Sequence, residues 1–402
     1  MEIEGGGSKS AEIFDPARGK KRPPSPPTPG DEFDSPTSTA RDVRDEWLLS
    51  DSGGEEYEEN RETHRPFTVA DFPRADYDKQ WDLLYLNPEI KLRGPPAIML
   101  FPPFKTGKHA FGSDYNLADK SELTVREIGD CSNECRCLPM DLLQFVSVKI
   151  AGYQHTHSGP AKISGFVAAR DTIEPFRNYV YRRKINNCEA VNVKSKTGVG
   201  RLSLISPARV ISFSSRVLIE FELHGHSDEE TDGDNGPIIE GCTELYNMFA
   251  LESFMEHKRL YGERCALDIK YLVLINALEA CVDVKVLHLG ALPGGVNMKV
   301  CAKTSNFNEV ICLFQGAAPD PDDTMNFVVA AERRKGIHLY IEGSARDGPI
   351  LGQKPLRFSW WWYSFPAGYH AVDDTVVAKL GEFATVSVKV TWRTHMKKAL
   401  RV

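Results

Sequence analysis

No run in this 402-residue chain reaches the roughly 18–20 apolar residues that a membrane-spanning helix needs. Met1-Glu2-Ile3-Glu4-Gly5 is acidic and polar, with no apolar stretch of the kind that directs secretion. A cytoplasmic or nuclear protein with no membrane partner is therefore expected, in surroundings that keep its 9 cysteines reduced. A broad basic excess is missing too. Residues 1–64 hold 8 Lys+Arg against 16 Asp+Glu. Taken from totals of 49 and 56, that leaves 41 basic and 40 acidic residues for the rest of the chain. A near-neutral body lacks the electrostatic footprint of a general polyanion binder.

The grammar of several chemistries is likewise absent. There is no Gly-x-Ser-x-Gly nucleophile elbow and no Gly-x-x-x-x-Gly-Lys phosphate loop. Gly5-Gly6-Gly7 belongs to a polar tail, and Leu292-Pro293-Gly294-Gly295 is a turn. The nearest approach to a metal motif is Cys131, Cys135 and Cys137, with His155 and His157 downstream. Zinc wants two such pairs to complete four ligands. An apparent strand around Lys149 separates the clusters, so an exposed cysteine-bearing loop is preferred and no metal or cofactor is assigned. No catalytic residue is assigned either.

What is present divides into three stretches. Residues 1–64 combine the tract Pro23–Gly30 with the acidic run Asp51–Glu59, a composition that buries too little apolar surface to offset chain entropy. A disordered N-terminal tail is expected there. Lys20-Lys21-Arg22-Pro23 and the Ser-Pro and Thr-Pro pairs carry little weight in such a tail. Residues 65–137 read as an extended segment docking on the core, anchored by Trp81 and by Phe101-Pro102-Pro103-Phe104.

Residues 138–396 show the period-two alternation of half-buried strands. It is clearest at Val146–Ile150, Val217–Leu223, Val282–Val286, Met298–Ala302, Ile337–Ile341 and Val386–Trp392. Weaker strands are expected at Ile163–Ala169, Asn178–Tyr181, Leu202–Ile205, Leu267–Val273, Val310–Phe314 and Phe327–Ala331. Free cysteines inside strands, such as Cys281 and Cys312, are expected as buried packing. One short helix is expected near Tyr246–Leu260, where Phe249, Phe254 and Met255 mix with charged residues. The fold class that follows is all-β, an antiparallel β-sandwich with one short helix and a disordered N-terminal tail.

Two side-chain groups could form an interaction surface. Arg182-Arg183-Lys184 is a short basic patch beside Tyr179 and Tyr181. In Trp360-Trp361-Trp362-Tyr363, strand geometry puts Trp360 and Trp362 on one face, with core packing or contact with another chain preferred over a glycan platform.

Several segments resemble a known family. Leu143–Ala151 followed by Gly165–Asp171, then Asn186-Asn187-Cys188, Leu202–Arg209, Ile219–Gly225 and Ala280–Val286, are similar to the plant family of the domain of unknown function 6598. The resemblance runs over about Leu138–Trp392, and the segment around Phe358–Tyr363 departs from it. Related domains stand at the C-terminal side of jasmonate-induced ribosome-inactivating proteins of grasses. That company implies a stress- or translation-related role and carries over no catalytic residue. An rRNA N-glycosidase needs a helical Glu and Arg, and Ala330-Ala331-Glu332-Arg333-Arg334 matches them only superficially. The leading expectation is a non-enzymatic protein-interaction module with an unknown protein partner. An RNA- or ribosome-associated factor is the alternative, and an unrecognised enzyme such as an rRNA N-glycosidase the third.

Overall fold

The computed structural model describes Trp47, residues 95–96, 98, 100 and 119–124, and residues 138–394 except 154–158, 195–197, 227–235, 248–249, 263, 293, 305, 347–357 and 369–372. The rest of the 1–64 tail, Trp81, Phe101–Phe104, Cys131–Cys137, His155 and His157 lie outside the described residues.

The longest element is β10 (Ala266–Leu289), a single strand of 24 residues. At about 3.3–3.4 Å per residue it spans roughly 80 Å. The sequence suggests two strands here, Leu267–Val273 and Val282–Val286; they are one. The break between them is Asn276, whose φ of 54° lies in the left-handed region. Asn tolerates that conformation better than most residues. Its N–H donates to Asp141 Oδ1 at 3.1 Å and its carbonyl accepts from the Arg333 N–H at 3.1 Å, so the irregularity is held from both sides.

Four long strands pair with β10, two along each half. The first half takes β1 (Met140–Ala151) and β9 (Phe254–Tyr261). The second half takes β13 (Thr324–Glu332) and β17 (Ala384–Arg393). The short β5 (Gly200–Leu202) and β6 (Ile211–Ser212) add to β1, and β16 (Asp373–Leu380) adds to β17, making an eight-stranded antiparallel sheet.

Two smaller sheets cover it. One has the order β3-β2-β7-β8, from β3 (Asn178–Arg183), β2 (Ala161–Asp171), β7 (Arg216–His226) and β8 (Ile239–Tyr246), with β4 (Glu189–Val191) also on β2. The other has the order β12-β11-β14-β15, from β12 (Ile311–Ala317), β11 (Val296–Thr304), β14 (Ile337–Ala345) and β15 (Phe358–Phe365). Leu267, Ile269, Tyr271 and Val273 enter a core with Val167, Val217, Ile219 and Phe221 of the five-stranded sheet. Leu272, Leu274, Leu278, Ala280, Val282 and Val284 enter a second core with Met298, Val300, Leu339 and Ile341. Odd and even positions of one strand point to opposite faces, so the two smaller sheets lie on opposite faces of the spine.

The expected helix near Tyr246–Leu260 is not formed. β8 ends at Tyr246, and Phe254–Tyr261 is β9, paired with β10 from Tyr261↔Ala266 to Phe254↔Val273. The loss of a local helix is outweighed by a full ladder along the spine. A 3₁₀ turn of three residues, Ile185–Asn187, lies elsewhere in the chain, after β3.

Charge is buried in the five-stranded sheet. Glu220 on β7 accepts from Arg170 Nε at 2.6 Å and from Arg177 Nε and Nη2 at 3.0 and 2.9 Å. Arg170 Nη2 also donates to the Asp119 carbonyl at 2.6 Å, and Arg177 exchanges backbone hydrogen bonds with Ser121 and Leu123. Pro96 and Ile98 exchange backbone hydrogen bonds with Arg259 on β9. Described parts of the segment before β1 therefore sit against sheet edges that would otherwise expose backbone donors and acceptors.

The left-handed residue in β10 yields a stability prediction. Asn276→Gly should leave the urea midpoint close to that of the unaltered chain, whereas Asn276→Val should cost about 1–2 kcal/mol, because a β-branched residue fits the left-handed region poorly. Urea unfolding followed by circular dichroism measures both.

Candidate interaction surface

β15 is the segment in which the sequence shows no alternation, since Ser359-Trp360-Trp361-Trp362-Tyr363 is aromatic on both faces. It pairs with β14 from Ile337↔Phe365 to Ser344↔Phe358 and, among the described residues, with no other strand. It is thus an edge strand. Trp361, Tyr363 and Phe365 form one row: Trp361 stacks on Tyr363 with centroids 5.8 Å apart, and Tyr363 meets Phe365 edge-on at 4.8 Å. Phe365 is buried and Trp361 packs on the second core, while Tyr363 stays 38% exposed. Trp360 and Trp362 form the opposite row, and Trp362 is 46% exposed.

The outer row meets a cover. Tyr340 on β14 points away from the second core yet is fully buried. Its ring lies between Trp360, at 6.1 Å and 22°, and Trp47, at 5.4 Å and 20°. Its hydroxyl donates to Glu342 Oε2 at 2.6 Å. Lys303 Nζ lies 4.6 Å from the Trp47 ring centroid, a cation–π contact from β11. Trp47 was not among the residues singled out by the sequence, because its neighbours are those of a polar tail. It is 5% exposed.

The basic patch lies elsewhere. Arg182 and Arg183 end β3, at the edge of the five-stranded sheet, and Lys184 caps the 3₁₀ turn. Trp360 and Trp362 belong to the four-stranded sheet, so the structure does not unite the two expected surfaces. Arg182 is already engaged: both of its terminal nitrogens reach Glu122 at 2.8 Å, and its guanidinium lies 4.4 Å from the Tyr179 ring. The hydrogen bond from Arg182 is the main cause holding the Glu122 carboxyl below its ordinary range. Arg183 lies over Tyr181 at 5.7 Å and donates to the Arg182 carbonyl at 3.0 Å.

Other constellations are less open to a ligand. Ser164 Oγ lies 2.6 Å from His226 Nε2, a contact between β2 and β7 that no sequence motif announces. Ser164 is buried, which shuts a nucleophile there away from substrate. Glu332 closes β13, and Arg333 begins the turn that follows, so the Glu/Arg pair compared with an N-glycosidase is not on a helix. Among the described residues, no group of three or more His, Cys, Asp or Glu is placed to hold a metal ion. No helix among them is long and apolar enough to cross a membrane. A small cleft of about 30 Å³ opens beside β1 between β5 and β6, lined by Leu143, Phe145, Val180, Pro207, Cys312 and Val328 among others.

Fold and surface together define an all-β protein with two sandwiches on one spine and an aromatic edge strand. The chain belongs to the family of the domain of unknown function DUF6598, whose sequence profile matches residues 142–365. The profile ends with β15, although β16 and β17 complete the sheet. Among curated proteins none matches the sequence. Solved structures similar to it include human GIVD cytosolic phospholipase A2, at 10% identity and a TM-score of 0.23, over 65% of this chain and 33% of that one. The calcium-bound tandem C2 domains of extended-synaptotagmin 2 overlap 65% of this chain and 98% of theirs, at 11% identity and a TM-score of 0.21. The chain thus spans about a third of the phospholipase's length. Overlaps this poor carry no argument about activity.

The Trp47 stack yields a second prediction. Trp47→Ala should destabilise the chain by about 3 kcal/mol, as for a large buried aromatic, and should open Tyr340 to solvent. Chemical denaturation reads the first effect, and the rate of Tyr340 nitration by tetranitromethane reads the second.

Proposed function

We propose that the chain is a non-enzymatic protein-interaction module that takes an extended segment of a partner protein along the edge of β15. The observation that carries this reading is the half-exposed pair Trp362 and Tyr363 on a strand that pairs on one side only among the described residues. An edge strand offers a row of backbone donors and acceptors to an added strand. Aromatic side chains then supply the apolar anchors on which binding energy concentrates.

An RNA- or ribosome-associated role has less support, because Arg182 already commits its charge to Glu122. A reducing compartment, cytoplasmic or nuclear, fits the cysteines described, all of which are free. A stress-related role rests on the family resemblance alone.

A displayed library of random peptides tests the reading. The chain should enrich peptides of alternating apolar pattern, and Trp362→Lys should weaken their binding by about tenfold or more, in keeping with loss of an aromatic anchor, with little change in unfolding midpoint. Bound peptide should also slow amide exchange at alternate β15 positions. Enrichment of peptides whose binding ignores Trp362, or that protect another strand, rules the reading out.

A further inference from the structure

Cys301 on β11 and Cys312 on β12 are direct cross-strand partners. Side chains so opposed have Cβ atoms about 4.5–5.5 Å apart, and a disulfide needs about 3.5–4.5 Å. Closing the bond therefore asks for a shift of about 1 Å. The ladder supplies the slack: its register slips between Val300 and Cys301, where Leu313 has no partner of its own. Both thiols are free.

Access and charge differ between the two. Cys301 is 1% exposed, whereas Cys312 is partly exposed and lines the cleft beside β1. That cleft is open enough to admit small molecules of water or peroxide size beside Cys312. Arg201 on β5 and Lys299 on β11 place positive charge near the sulfurs. The nucleophile in such chemistry is the thiolate, and neighbouring cations favour it.

The structure assigns to Cys301 and Cys312 a peroxide-reactive dithiol site, with Cys312 as the attacking group and Cys301 as the resolving one. The Cys312 thiolate attacks one oxygen of hydrogen peroxide. The O–O bond breaks, hydroxide leaves, and Cys312 becomes a sulfenic acid. Cys301 then attacks the Cys312 sulfur, its proton joining the departing hydroxide as water. Overall, two thiols and one peroxide yield one disulfide and two waters; sulfur is oxidised and peroxide reduced. The thiol equilibria agree with these roles. The Cys312 thiol is lowered, first by the hydrogen bond from Cys301, with Arg201 and Lys299 adding to it against desolvation. Cys301 is correspondingly raised, as the donor in that bond. Burial pushes Cys242 up to about 12 and raises Cys265 and Cys281 as well, which leaves them inert.

The test uses the full chain, treated with a slight excess of hydrogen peroxide, blocked with N-ethylmaleimide and mapped by peptide mass spectrometry. The expected product is a Cys301–Cys312 cross-linked pair, with Cys242, Cys265 and Cys281 still reduced. In Cys301→Ser, dimedone should label Cys312 as the trapped sulfenic acid. In Cys312→Ser, peroxide consumption should slow on the order of tenfold or more, as expected when the low-pKa thiolate is lost. Circular dichroism confirms that each variant is folded, and the mapping of the unaltered chain stands without them. Cross-linking at other cysteines while Cys301 and Cys312 both remain open to maleimide overturns the assignment, as does dimedone labelling spread evenly over the cysteines.

Discussion

Everything in this fold hangs on one continuous strand. β10 gives its first half to β1 and β9 and its second half to β13 and β17. Its alternate faces feed two separate cores. Because successive side chains leave a strand on opposite sides, a single backbone can serve two sandwiches without either core crossing the sheet. That arrangement places a demand at the middle, where the strand must keep its facing while its ladder partners change. Asn276 meets the demand by one left-handed residue, fixed by Asp141 on β1 and by Arg333 after β13.

A second constraint is the paired burial of charge. Glu220 lies wholly inside the five-stranded sheet and satisfies two arginines at once. Removing one partner of such a cluster strands the others in a low-dielectric interior, at a typical cost of about 3–5 kcal/mol. Arg170 gives a further donor to the Asp119 carbonyl, so the same cluster that closes the sheet also fixes part of the lead-in chain. Asp171 acts in the same way nearby, taking both terminal nitrogens of Arg209 and the Ser212 amide. Backbone edges and these buried carboxylates are thereby satisfied together.

Much of the architecture was legible in the sequence because period-two burial is a local property. Val217–Leu223, Met298–Ala302, Ile337–Ile341 and Val386–Trp392 each fall within a strand whose inward residues are the alternating apolar ones. Continuity was not legible: nothing in Asn276 or its neighbours says that the chain runs straight on through an irregular residue. Phe254 and Met255 misled because their spacing among Glu252, Glu256 and Lys258 imitates a helix face, and only the ladder with β10 makes Phe254–Tyr261 a strand. β15 was obscured for the opposite reason, since consecutive aromatics erase alternation. The partners of these side chains were out of reach altogether. Tyr340 meets Trp47 from a distant part of the chain, and Cys301 meets Cys312 through a register that only the folded ladder fixes.

That register joins the features of the four-stranded sheet into one row. Cys312 opposes Cys301, Cys301 opposes Tyr340, and Tyr340 opposes Trp362. Four directly facing residues thus run from the cleft beside β1 to the open edge at β15. The middle of the row is held hard, because Tyr340 is clamped between Trp47 and Trp360 and its hydroxyl is tied to Glu342. A change at the two sulfurs has slack on the side of β12, where the ladder already carries an unpaired residue, and none on the side of Tyr340. The proposed dithiol and the proposed docking edge thus share one sheet, with the stacked ring of Tyr340 between them.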